Sequence, residues 1–258
     1  MSDFAVQPIA EPVPPPAPGL TQWQRVVYIF TSPSKTFEDI KAGHKSWWLP
    51  FLLSILVAYA YFGVLYSKIG IDQITQNQIH QNAKQEQQLQ DAPADRRAAT
   101  EKIITYSTEG AFLASPVLVL IAAAIIALGL WGTINFGFGG KATFGGIFAV
   151  YFFATLPALF KPVLGAIVAF FGAPESFNLK NPAPTNIAAF LSPTDTNAGL
   201  YSLLSSIDII TIWTLVLLSI GTAIVAGTKR SSGFIAVFGW WIVFTLAGVG
   251  IAAAFGGH

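Results

Sequence analysis

A chain of 258 residues that is 53% hydrophobic and only 10% charged carries more apolar surface than one soluble core encloses; soluble domains run at roughly 25% charged. The 14 Lys+Arg and 13 Asp+Glu leave a net charge of +1, so there is no basic footprint for nucleic acid. The absence of cysteine excludes disulfides, thiolate metal sites and cysteine nucleophiles. The composition is that of a membrane protein, and it predicts an all-α, polytopic bundle in a lipid bilayer.

In chain order, residues 1–19 read as a disordered Pro-rich tail, and the first 46 residues hold no apolar segment of the kind a cleaved signal needs. Trp23, Val26, Val27 and Phe30 then recur at helical spacing beside Gln22, Gln24 and Arg25. Such a short amphipathic helix either lies in the membrane interface or packs against the protein's own spans. Ser32-Pro33 opens a second short helix that carries Phe37 and Ile40 on one side and stops near Gly43.

Spans follow from uncharged runs, since about 20 helical residues cross the hydrocarbon core. The first covers about 46–67, with Trp47, Trp48 and Tyr66 at its ends. Residues 68–109 form an extramembrane helical loop with eight glutamines between Gln73 and Gln90 and no sustained heptad. Pro93 breaks it, and a second helix from about Asp95 carries Ala99, Ile103 and Tyr106 on one face. This loop is either a solvated hairpin or a surface for a protein partner.

The second span covers about 111–135 and leaves through Asn135-Phe-Gly-Phe-Gly-Gly140. Gly137-Phe-Gly-Gly-Lys141-Ala-Thr fails as a phosphate loop, because Ala142 stands where Ser or Thr must follow the lysine, and it reads as a tight turn. The third span, 142–161, contains Pro157. The short piece Val163 to Gly172 after it is either a bent continuation or a re-entrant segment. After a Pro- and Asn-rich stretch with one turn at 186–191, the fourth and fifth spans cover about 203–228 and 233–255.

Lys and Arg near the span ends divide evenly between the two sides. The tight connections at Lys141 and Lys229-Arg230, with the cluster before the first span, favour a cytoplasmic N-terminus and an external C-terminus.

Asp208 is the most informative single residue, since an ionisable group within a span is costly and often functional. If its helix begins near Gly199, Asp208 lies roughly 13 Å along the axis. If the span is Ile209–Thr228, it sits at the outer interface, where a carboxylate suits a helix N-terminus. Lys161 is its candidate partner, the alternative being that it snorkels alone. Ser205, Ser206 and Thr211 either complete a polar cluster or bond to helix carbonyls. Small residues four apart, such as Ala123 and Ala127, or Ser219 and Ala223, favour close helix packing within the chain over dimerisation, and an oligomer stays open. His44, His80 and His258 lack ligand spacing, and no catalytic constellation appears. No catalytic residue, cofactor or metal site is expected.

Three features carry a resemblance: Thr31-Ser-Pro-Ser-Lys-Thr-Phe-Glu-Asp-Ile-Lys41 followed by Trp47-Trp-Leu-Pro50; Leu203-Leu-Ser-Ser-Ile-Asp-Ile-Ile-Thr-Ile-Trp213; and the five-span plan. Over residues 23 to 255 the chain resembles the Yip family (Ypt-interacting proteins) in its bacterial form. Eukaryotic members are implicated in vesicle trafficking and in binding prenylated Rab GTPases. The resemblance implies a non-enzymatic protein of the bacterial cytoplasmic membrane, an organiser or adaptor working through protein contacts at residues 20–46 or 68–109. The alternative is a small transporter or channel subunit using Asp208 and Lys161.

Overall fold

The computed structural model describes residues 18–255, so residues 1–17 of the 1–19 tail and His258 lie outside the described residues. The described residues are helical, apart from connecting loops and one isolated bridge between Asn186 and Asp208. Five helical segments are long and apolar enough to cross a membrane. They are α3 (Trp48–Lys68), α7 (Ser115–Gly132, extended by a π turn to Gly137), the pair α8 (Phe144–Ala154) and α9 (Phe160–Phe171), α11 (Ile209–Ala226) and α12 (Arg230–Phe255). The protein is a multi-pass, all-α membrane bundle.

Pro157 bends the third span without ending it. It sits at the start of a 3-10 turn, Leu156–Leu159, where a missing N–H costs little. The piece after it carries the same apolar segment on from Phe144 to Phe171, and α9 packs along α3. There Gly165 is needed: a Cβ would lie 2.9 Å from Pro182 Cβ and 3.1 Å from Tyr61 Oη. The glycine turn between the second and third spans is clamped by one amide. Asn135 accepts from Ala142 N (2.9 Å) and donates to Ala142 O (2.9 Å), while Trp131 donates to the same carbonyl.

The two short helices expected before the first span are both present. Helix α1 (Gln22–Thr31) opens on a capping box between Thr21 and Gln24, and α2 (Pro33–Lys41) has its proline in the first turn. They form a hairpin wedged into the bundle, with Ile29, Phe37 and Ile40 at most 1% exposed. At its tip Phe30 meets Phe160 and Trp213 at ring distances of 6.1 and 5.7 Å. Trp213 lies 13 residues from the Ala226 end of α11, roughly 20 Å at 1.5 Å per residue. The hairpin thus reaches past the midpoint of α11.

Helix α1 packs against the protein's own spans, although the expected stripe does not supply the packing face. Arg25 and Ile29 are buried and Val26 leans on the core, whereas Trp23 and Val27 point outward and Phe30 is partly exposed, with one edge of its ring against Phe160 and Trp213. In lipid this sorting is natural, because hydrocarbon solvates an outward apolar side chain while a charge must find a partner inside.

Close packing around the hairpin and α12 rests on two glycines. A Cβ at Gly221 would stand 2.5 Å from Val150 and 2.7 Å from Phe37, and one at Gly233 only 2.2 Å from the Ser219 carbonyl. Backbone cannot yield as a side chain tip does, so Gly233→Ala is expected to cost about 1–3 kcal/mol and Gly221→Ala less. Unfolding midpoints in mixed detergent micelles check this; equal midpoints for wild type and Gly233→Ala would contradict the packing described.

The Gln-rich segment divides into α4 (Ile71–His80), α5 (Ala83–Gln90) and α6 (Ala94–Leu113). Helix α4 is not a solvated hairpin arm. It buries Ile74 and Ile79, and Asn77 donates to the Pro174 and Phe177 carbonyls at 2.7 and 3.1 Å. No residue of helix α5 is fully buried within the chain.

Candidate intramembrane polar site

The fourth span is interrupted. Helix α10 (Ala198–Ser206) and α11 follow one another, but Ile207 and Asp208 leave helical geometry, with ψ values of 77 and 131°. Asp208 is the N-cap of α11: its Oδ1 accepts from Thr211 N at 2.8 Å. Asp208 thus stands at the junction of two helices, with the 18 residues of α11 on one side and α10, which runs along α12, on the other.

Lys161, one residue into α9, points at this cap. Its Nζ lies 3.0 Å from Asp208 Oδ1 and donates to Thr211 Oγ1 at 2.8 Å. Thr185 donates its hydroxyl to the other carboxylate oxygen, and its carbonyl accepts from Ile209 N at 3.2 Å. Both oxygens of Asp208 are therefore engaged, and the side chain is 1% exposed against 33% for Lys161. The positive end of α11 adds to the same effect. The arrangement holds a charge in place: one carboxylate ties α9, α11 and the 173–197 segment together.

Of the four expected residues, Asp208, Lys161 and Thr211 meet, and Ser205 does not join them. Its hydroxyl bonds back to the Tyr201 carbonyl at 2.8 Å, as Ser206 does to Ser202. The place beside Asp208 goes to a network that sequence reasoning missed. Asn181 and Asn186 exchange amide hydrogen bonds at 3.1 and 2.8 Å, and Tyr201 Oη accepts from Asn178 (3.0 Å) and Asn181 (3.3 Å). The only available signal was the run of asparagines in an otherwise Pro-rich stretch.

A second charged pair, also missed, lies under the hairpin. Arg25 Nε stands 2.6 Å from Asp39 Oδ2, with side chains 4% and 9% exposed. Leu20 N and His44 Nδ1 reach the other Asp39 oxygen at 3.0 and 2.9 Å, and Arg25 also donates to the Ser46 carbonyl. This pair locks α1 to α2. Of the candidate interfacial residues, Trp23, Val27 and Phe30 form one outward face and are the part of α1 open to another molecule.

A family model described as the Yip1 domain matches residues 27–251, which includes both members of the Lys161–Asp208 pair. No curated protein matches, and neither does any solved structure.

Proposed function

The chain belongs to the Yip1 domain family, and from that premise we propose that it is a non-enzymatic membrane organiser acting through protein contacts inside the bilayer. The observation that carries this reading is the α1–α2 hairpin. It is locked to the bundle by Arg25–Asp39 and still presents Trp23, Val27 and Phe30 outward. That is a preformed apolar face at membrane depth. The recruiting element is thus this one face and not a free cytosolic arm, since most of residues 20–46 is committed to internal packing. Helix α5, none of whose residues is fully buried, is the other surface open to a partner.

We place the N-terminus in the cytoplasm and the C-terminus outside a bacterial cytoplasmic membrane. Lys41, Lys45, Lys141 and Lys229 all fall in or beside the connections on one side of the bundle, in line with the positive-inside tendency.

Photo-crosslinking from a probe at Val27 tests the adaptor reading in cells. One stoichiometric protein partner is expected, absent when the probe sits at Leu56 on the lipid-exposed face of α3. Crosslinks to lipid alone from both positions would overturn it.

A second reading, a small transporter, is favoured by the break between α10 and α11 with an ion pair at the gap. It predicts that Asp208→Asn abolishes solute flux into reconstituted vesicles; unchanged flux removes it.

A further inference from the structure

On the face opposite Lys41, Lys141 and Lys229, a cavity of about 500 Å³ opens between α10, α12, the end of α4 and the 173–197 segment. Its two walls differ in kind. One is apolar, formed by Gly248, Ile251 and Ala252 of α12; the other carries Asn82, Lys180 and Tyr201. Among the described lining residues there is one cation and no carboxylate.

The polar wall has donors to spare. Tyr201 Oη accepts from two amides, Asn178 and Asn181, so its own hydrogen is uncommitted. Asn82 uses its oxygen to cap α5 (Gln85 N at 3.1 Å), which leaves its amide hydrogens for the cavity. Lys84 reaches the Ala254 carbonyl at 3.5 Å and adds a second cation near the end of α12. Ser205 and Ser206 spend their hydrogens on helix carbonyls and offer only oxygens.

Depth selects the ligand. Gly248 and Ala252 lie 18 and 22 residues from Arg230 at the start of α12, roughly 27–33 Å along the axis. A hydrocarbon core is about 30 Å thick, so the cavity sits at headgroup level with an apolar wall leading toward the tails. We propose that it binds one anionic phospholipid, with the phosphate on Tyr201, Lys180 and Asn82 and an acyl chain along Gly248, Ile251 and Ala252. A carboxylate-free wall of donors suits a phosphate oxygen, and the apolar half distinguishes a lipid from a free anion.

The test is native mass spectrometry of the full chain released from detergent. The probes are phosphatidylglycerol, phosphatidylcholine with the same acyl chains, and inorganic phosphate. One retained phosphatidylglycerol is expected, with retention about tenfold weaker in Tyr201→Phe and in Lys180→Gln. Lys180→Gln should melt like wild type; because Tyr201→Phe also removes the acceptor of Asn178 and Asn181, Ile251→Trp, which narrows the apolar wall, carries the same expectation. Equal retention of phosphatidylcholine, undiminished retention in well-folded variants, or displacement of the lipid by inorganic phosphate would each overturn the proposal.

Discussion

Lys161→Met is expected to lower stability by about 3–5 kcal/mol, more than loss of its partner does. The asymmetry comes from burial. Asp208 is 1% exposed, so removing the ammonium strands a carboxylate in a dry setting, held only by Thr185 and the Thr211 amide. Lys161 is 33% exposed, and with Asp208 gone its long stem carries the charge outward toward the headgroups. Asp208→Asn keeps an acceptable N-cap, so its cost is about 1–2 kcal/mol. The double variant Lys161→Met with Asp208→Asn is then expected to be more stable than Lys161→Met alone. Midpoints of unfolding in mixed micelles complete the cycle. If Asp208→Asn proves as damaging as Lys161→Met, the carboxylate is not the stranded group and the pair does not work in this way.

Phe37→Ala is the second large effect, at about 3–5 kcal/mol by analogy with buried Phe→Ala changes. Phe37 is fully buried and fills the space left by Gly221 on α11 beside Val150. No other α2 side chain of that size reaches α11 there, so its loss should loosen the hairpin more than the spans. Because the chain has no cysteine, Ile29→Cys provides a single thiol reporter at a buried position. In wild type that thiol should resist a water-soluble maleimide, and Phe37→Ala should expose it while the five spans persist. A reporter that stays protected in Phe37→Ala would mean that the Arg25–Asp39 lock alone holds the hairpin.

The spans were legible in the sequence because the requirement behind them is local: a run of about 20 residues without charge is demanded wherever the backbone meets hydrocarbon. Trp47, Lys68, Lys141 and Lys229 mark the ends of those runs directly. The hairpin's depth was not legible. A period of 3.6 in Trp23, Val26, Val27 and Phe30 tells that a helix has two faces, but lipid and protein interior are equally apolar, so the pattern does not tell which face meets which. The buried pair Arg25–Asp39 needed the turn at Ser32-Pro33 to bring its members together, and a composition count treats both as surface charges. The site was half legible. Asp208 stands out against its neighbours, and Lys161 is one of few charges able to reach it. The break at Ile207 depends on tertiary contacts with Thr185 and Asn186, in a segment whose irregular path no periodicity encodes.

The hairpin also imposes an order on assembly. It leaves the ribosome before the five spans described, yet the surface that receives Phe37 includes Gly221, on the fourth of them. Roughly 180 residues separate them, about 10–40 s of synthesis at ordinary elongation rates. Throughout that interval Ile29, Phe37 and Ile40 have no finished seat, and the first forty residues wait at the membrane for their own docking site to be made. The window closes when α11 inserts. A binder of the unseated hairpin therefore meets only newly made chains, and a stalled or truncated protein lacking α11 keeps that surface open indefinitely.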